Sequence, residues 1–229
     1  MIHPTGADKT KVQENPALTA LRNSQRVLLL QGPIGPFFDR LTRWLLRQDK
    51  QVVRIAFQGG DQLDTTLVEP VVFAQSVDVW PVFLAELLES AKVDALVLFG
   101  QSRPFHRVAI DMARARGLTT VVMEEGYFRP GFATMELNGV NGYSTTLERF
   151  EWQRAEMLAF AQLQDRLCQP DITPWHFQKM CWLATRHYVA MAWSRHKFRY
   201  YRHHRGDQPI QYAAFWLRSW IRKARRMLP

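Results

Sequence analysis

The sequence predicts an α/β protein, a Rossmann-like parallel sheet followed by long basic α-helices. Three observations carry this reading. Between residues 26 and 123, short apolar runs alternate with segments of helical period, the pattern of a parallel sheet covered on both faces. Each run ends in a loop of glycine, proline or polar residues. Near residue 150 the period turns helical throughout and the charge shifts. Residues 1–150 carry 16 Lys/Arg and 16 Asp/Glu, whereas residues 151–229 carry 14 and 5. The chain therefore divides into a leader over 1–23, a Rossmann-like domain over 24–150 and a basic, Trp-rich helical linker or membrane-association segment over 151–229.

Residues 1–23 contain Pro4, Gly6, Asn15 and Pro16 and read as a loose leader. Arg26–Gln31 is a short apolar run closed by Gly32-Pro33, as a fully buried parallel strand would be. A helix should follow Pro36 with Phe37, Phe38, Leu41, Leu45 and Leu46 on one face. Gln51–Phe57 is the next strand, ended by a Gly59-Gly60-Asp61 loop, and Glu69–Ala74 is a further short one. Val79–Ala91 is helical by period, through Val82, Phe83, Leu87 and Leu88. Asp94–Gly100 is the clearest strand. It leads into Gln101–His106 and a helix, Phe105–Arg116, stopped at Gly117, which tolerates the left-handed conformation of a helix end. Thr119–Met123 closes the alternation and opens into a Gly/Pro-punctuated loop. The Asn-Gly pairs in Leu137–Tyr143 signal a small hairpin or irregular loop. Leu147–Leu167, Trp175–Tyr201 and Ile210–Leu228 read as long helices.

Composition narrows the function. An apolar fraction of 47% is enough for a proper core. Cys168 and Cys181 are too few and too far apart for a zinc ribbon or a redox pair, and they suit a reducing compartment. No signal peptide is expected in the first thirty residues. No run approaches the roughly eighteen apolar residues that span a bilayer. The expected setting is cytoplasmic, or peripheral on a membrane. The histidines lack ligand spacing, His203 and His204 being adjacent, so neither a metal nor a cofactor is expected.

Candidate chemistry gathers at the strand ends, where open α/β sheets bind ligands. Gly32 and Gly35 could let backbone amides approach a phosphate, although the motif is neither GxGxxG nor a P-loop, and a tight turn explains them as well. Gly60 and Asp61 read as a loop cap or a sugar-hydroxyl contact. Arg103 could hold a phosphate or carboxylate through two parallel hydrogen bonds, and His106 could carry a proton or contact an anion. Otherwise Arg103 pairs with a carboxylate and His106 caps its helix. Glu124 and Glu125 leave the last apolar strand together, followed by Tyr127 and Arg129. Adjacent residues on an extended chain point to opposite faces, so one of the two should face the cleft. Such a carboxylate can act as acid, base or nucleophile, as glycosyl chemistry needs, or simply neutralise Arg103 or Arg129.

The basic third carries a different signal. Ala213, Leu217, Trp220, Ile221, Ala224 and Leu228 recur at helical spacing, with Arg218, Arg222, Lys223, Arg225 and Arg226 filling the remainder and Trp216 alongside. A basic amphipathic helix with tryptophans suits an anionic lipid surface. Trp182, Trp193, Arg195, His196, Lys197, Arg199, Arg202 and Arg205 extend this character. Packing on the sheet domain would account for the same stripe. Nucleic acid is the rival partner, but no recognised nucleic-acid-binding motif is present and the sheet half is neutral.

Together the motifs resemble the KpsS-type capsule polysaccharide synthesis proteins. The similarity rests on Leu28–Pro33 with Gly35–Phe38, Gly59–Asp61, Phe99-Gly100 with Arg103-Pro104 and His106, Glu124–Tyr127 with Arg129-Pro130, and Gly139–Asn141. Tyr201–His204 and the Trp/Arg helix add to it, so it runs from about residue 24 to the C-terminus. The resemblance implies a β-Kdo glycosyltransferase that takes Kdo from CMP-Kdo and begins the capsule linker on a phosphatidylglycerol-type lipid. It would be peripheral on the inner membrane of a Gram-negative cell, beside other capsule assembly proteins, with no nucleic acid partner. It further implies a GT-B-like pair of Rossmann-type halves, of which this chain is expected to be the N-terminal one. The family continues into a half with a His-Pro element and a Ser/Thr-Gly loop for the CMP moiety, whereas this sequence stops at Pro229. The family pattern also has an acidic residue where this chain has Gln101.

In this reading Glu125 is the first candidate for the catalytic carboxylate, followed by Glu124 and His106. Gly32, Gly35, Gly60, Asp61, Arg103, Tyr127, Arg129 and Asn141 would bind substrate. The alternative is a non-catalytic module that docks on membrane or partner.

Overall fold

The computed structural model describes residues 15–126, 132–144 and 174–202, with Phe215, Arg218, Ser219 and Arg222 as single helical positions beyond them. In chain order the elements are α1 (Pro16–Asn23), β1 (Arg26–Leu29), α2 (Phe37–Leu46), β2 (Gln51–Ala56), α3 (Gly59–Leu63), β3 (Val71–Val72) and α4 (Trp80–Ser90). Then follow β4 (Ala95–Phe99), α5 (Pro104–Ala115), β5 (Thr119–Glu125), β6 (Ala133–Leu137), a 3-10 turn (Asn141–Tyr143) and α6 (Pro174–Trp193). The six strands are ordered β3-β2-β1-β4-β5-β6. All pair in parallel except β5 with β6. This is the expected Rossmann-like half-domain, and its strand order reverses between β1 and β4.

The central strands are apolar along their whole length because both sheet faces are covered. One face packs Leu28, Leu30, Ile55, Leu96, Leu98 and Val122 against α4 and α5. The other packs Val27, Leu29, Val97, Val121 and Met123 against α1 and α2. The first core is closed by an aromatic group in which Phe57 stacks on Phe105 at 4.6 Å between centroids and meets Trp80 edge-on at 5.1 Å. The indole N–H of Trp80 donates to the carbonyl of Phe105 at 2.9 Å, so this large side chain is buried without an unpaired donor.

Several expectations change. Residues 16–23, read as leader, form α1. Asn15 caps it by accepting from the amides of Ala17 and Leu18, Pro16 occupies the first turn, and Ala17 and Leu21 are buried. In α2 the buried stripe is Phe38, Thr42 and Leu45, and Leu46 is left 39% exposed. In α4 it is Trp80, Leu84 and Leu88, and Val82 is 61% exposed. The Gly59-Gly60-Asp61 loop is instead the first turn of α3, capped by the Gln58 side chain, which accepts from the amide of Gly60 at 2.6 Å. Glu124 and Glu125 continue β5 rather than starting a loop, because β6 pairs with it antiparallel and places Thr134 opposite Glu124 and Ala133 opposite Glu125. The Asn-Gly segment after β6 is a 3-10 turn with positive φ at Asn138 and Asn141. Only Pro174–Trp193 of the long helix read as Trp175–Tyr201 is α-helical, and turns follow it. Leu147–Leu167 and all of Ile210–Leu228 but the four positions named above lie outside the described residues.

Helix α6 packs across α3. A Cβ on Gly60 would stand 2.5 Å from the His187 ring, and one on Gly59 would stand 2.5 Å from the Ala190 carbonyl oxygen. The glycine pair therefore sets the close approach of α6 to the sheet.

Candidate functional site at the switch point

Doubly wound sheets bind ligands in the crevice outside the carboxyl ends of the strands, where their order reverses. Here that place lies beyond β1 and β4. Gly100 has φ +82 and turns the chain sharply after β4. Three residues later Arg103 caps α5, half-buried, and its guanidinium reaches the carbonyl oxygen of Gly32 at 3.4 Å across the crevice. The amide of Gly100 donates to the Met123 carbonyl at 2.9 Å, so β4 ends level with Met123 and β5 continues past it through Glu124 and Glu125.

The two glutamates face opposite ways. Val122 belongs to the core under α4 and α5, whereas Val121 and Met123 belong to the core under α1 and α2. Period-two alternation puts Glu124 on the first face, half-buried, and Glu125 on the second, exposed. The face of Glu125 is that of α2, which follows the loop containing Gly32.

His106 is not placed to shuttle protons. It is fully buried, with Nδ1 2.7 Å from the Gly100 carbonyl and Nε2 3.3 Å from the amide of Gln31. A carbonyl can only accept and an amide can only donate, so the ring carries its proton on Nδ1 and ties the end of β1 to the end of β4. Asp61 is likewise no open sugar contact. Only 7% exposed, it accepts from Gln31 at 3.0 Å, from Gln58 at 2.9 Å and from the amide of Phe57 at 3.1 Å. Burial pushes its carboxyl up from the ordinary range, against the charge of His187 and these donors, with Arg103 acting in the same sense as the donors. Tyr201 closes the same network: its hydroxyl accepts from Gln31 at 3.0 Å, and burial pushes its pKa upward.

A second cluster fixes α6. His187 lies between Gln58 Nε2 and Asp64 Oδ2, each at 2.8 Å, and Arg186 reaches Asp64 Oδ1 at 2.8 Å. Gly35, expected in the cleft, sits under Leu183 and donates its amide to Asp64 at 3.0 Å. Gly60 is covered by His187. Helix α6 therefore covers the ends of β1 and β2, and the accessible part of the crevice lies toward β4 and β5.

Gln101 pairs with a backbone. Its Nε2 donates to the Val140 carbonyl at 3.0 Å and its Oε1 accepts from the Val140 amide at 3.1 Å, which holds the turn starting at Asn141 against the loop after β4. Asn141 itself is exposed. A carboxylate could not make both bonds at once unless protonated.

Among the residues singled out from the sequence, the structure joins Arg103 to Gly32 and sets Glu124 and Glu125 on opposite faces of the β5 end, while Gly35, Gly60, Asp61 and His106 make internal contacts. Tyr127, Arg129, Trp216, Trp220, Lys223, Arg225 and Arg226 lie outside the described residues, and Arg218 and Arg222 are exposed helical positions. Sequence reasoning missed Gln31, Gln58, Asp64, Arg186 and His187. Gln58, three residues before Asp61 at a helix start, is the only one with a local signal.

A family model described as "capsule polysaccharide biosynthesis protein" matches residues 94–227. The chain is 32% identical over 214 residues to the capsule polysaccharide export protein KpsS of Escherichia coli, which covers 90% of this chain and 52% of that protein. It is 33% identical over 219 residues to the capsule polysaccharide modification protein LipB of Neisseria meningitidis serogroup A, covering 94% of this chain and 51% of the relative. The chain spans about half the length of these relatives.

Proposed function

The chain belongs to the capsule polysaccharide biosynthesis family, and from that premise we propose that it supplies one wall of a sugar-transfer site, moving Kdo from CMP-Kdo to a phosphatidylglycerol-type lipid at the inner face of the cytoplasmic membrane. The observation that carries the reading is Arg103 over the Gly32 carbonyl at the switch point, beside the strand end that presents Glu125. Both the donor phosphate and the sugar carboxylate are planar-edged anions that a guanidinium can grip with two hydrogen bonds. In transfer, the bond from the anomeric carbon to the phosphate oxygen breaks and CMP departs with that electron pair. A hydroxyl oxygen of the acceptor bonds to the anomeric carbon, and its proton passes to the Glu125 carboxylate. Arg103 counters the charge that collects on the leaving phosphate.

A second reading, a docking module without turnover, is favoured by how fully Asp61 and His106 are engaged in scaffolding. Incubating the chain with CMP-Kdo and a short-chain phosphatidylglycerol separates the two. Product at the mass of the lipid plus one Kdo, lost in Arg103→Ala, supports transfer. Absence of product from the folded wild type favours the docking module.

A further inference from the structure

The outward face of α6 is not finished like a solvent surface. At 100° per residue, Trp175, Lys179, Trp182, Arg186, Val189 and Trp193 fall within an arc of about 80°. Trp175 is 75% exposed, Trp182 60%, Val189 58% and Trp193 84%. Single exposed apolar residues need no explanation, but three tryptophans in register along one helix do. The flank that packs inward carries His187, Ala190 and Ser194 against α3. The stripe lies roughly 100° round the helix from it and spans about 27 Å from Trp175 to Trp193.

We propose that this face, with the turns that follow it, is a docking surface for an anionic phospholipid bilayer. The charge is one-sided. Residues 174–202 carry six Lys/Arg and no Asp/Glu, whereas the sheet half sums to zero. At the end of the stripe, Trp193 borders a shallow, open depression lined by Arg195, His196 and Arg199, whose charge suits a phosphodiester headgroup. Arg186 is held by Asp64 at 2.8 Å and lies 5.2 Å from the centroid of Trp182, so that indole is set in place before any partner arrives. Among the described residues no helix is long and apolar enough to cross a membrane, which leaves an orientation along the interface, with the tryptophans at headgroup level. Single-stranded nucleic acid is the poorer fit, since its binding sites combine a basic groove along the backbone with stacking platforms, while this stripe is a convex helix face with its cations mostly to one end.

The proposal rests on the sugar-transfer reading only in taking an anionic phospholipid as the partner, and its test needs no sugar. The full chain is sedimented with vesicles of phosphatidylcholine, with or without about 30% phosphatidylglycerol, a content that gives a negative surface potential. Binding should require the anionic lipid and weaken as salt rises. Replacing Trp175, Trp182 and Trp193 together by alanine should lower partitioning at least tenfold with the circular dichroism melt unchanged, and Arg195→Gln and Arg199→Gln should each lower it about fivefold. In the wild type, brominated acyl chains should quench tryptophan emission, which reads depth without any substitution. Wild-type partitioning by the triple variant overturns the proposal. So do preference for single-stranded RNA over vesicles and a wild-type dimer that the triple variant dissolves. Failure of Kdo transfer with vesicle binding intact counts against the sugar-transfer reading alone.

Discussion

His187 Nδ1 lies 2.8 Å from Asp64 Oδ2 and joins positions 123 residues apart, one on α6 and the other at the end of α3. The same carboxylate takes Arg186 on its other oxygen and the amide of Gly35. One buried acid therefore fastens α6 to the turn before α2 and to the turn after α3. It acts with the His187–Gln58 contact at 2.8 Å and the Gln31–Tyr201 hydrogen bond at 3.0 Å to hold α6 and the turns after it over the ends of β1 and β2.

Its pH dependence follows. Burial opposes ionisation of Asp64, but the hydrogen bonds from His187, Gly35 and Arg186 and the charge of His187 outweigh it and hold the carboxyl below the ordinary range. A carboxylate with a depressed folded-state pKa stabilises the fold above its unfolded value and loses that contribution as pH falls through the folded one. The wild type should therefore lose stability on acidification below about pH 4. Asp64→Asn should cost about 2 kcal/mol at neutral pH and show a flatter melting profile in that acid window. Burial pushes Asp61 in the opposite direction, so the difference between wild type and Asp64→Asn isolates Asp64. Thermal melts from pH 3 to 7 read it, and parallel curves would remove Asp64 from this role.

Close approach of α6 gives a second test. A Cβ at Gly60 would meet the His187 ring at 2.5 Å, while one at Gly142 would meet nothing within 4 Å. Gly60→Ala must push α6 outward or break the His187 bonds, at a cost of about 2 kcal/mol or more. Gly142→Ala should be close to neutral. Urea unfolding of the two variants measures the contrast, and equal midpoints would mean that α6 does not rest on α3.

How much of this was legible in the sequence depends on the range of the interaction that decides it. Val27–Leu30 and Ala95–Phe99 announce themselves because a strand buried on both faces is apolar at every position. Arg103 and the glutamates were readable as strand-end polar residues, since a strand end is a local feature. Strand β6 was not, because Ala-Thr-Met-Glu-Leu is half-buried and owes its conformation to pairing with β5. Asn15-Pro16 is a helix-start signal, but the polar residues around it read as a loose leader. The sequence leaves Asp61 open between a loop cap and a sugar-hydroxyl contact, because its donors, Gln31 and Gln58, come from two separate strand ends. Nothing near His187 points to Asp64.

Gln101 is a position where a change to an acid can be judged by geometry. The amide satisfies the Val140 carbonyl and amide together. In Gln101→Glu one carboxylate oxygen would face the Val140 carbonyl with no proton between them, losing one bond and adding repulsion. The expected loss is about 1–2 kcal/mol, with faster hydrogen exchange at the Val140 amide than in the wild type. Unchanged exchange would show that the turn is held by other contacts.

The assignment of the base turns on strand parity. Glu125 shares a face with Val121 and Met123, the face on which α2 begins after Gly32, whereas Glu124 shares the face of Val122 and looks toward α4 and α5. If transfer proceeds on the α2 side of the crevice between Gly32 and Arg103, Glu125 is the glutamate that faces it, whereas Glu124 shares the face of α5, which Arg103 begins. Glu125→Gln keeps the shape and removes the proton acceptor, so it should lower Kdo transfer by about 100-fold or more, the usual worth of a positioned general base. Its melting temperature should stay that of the wild type, because the side chain is exposed. Glu124→Gln should leave turnover within a few-fold. Transfer rates with CMP-Kdo, measured beside thermal melts for both variants, decide it: a larger loss in Glu124→Gln would move the reacting atoms to the opposite face of the sheet.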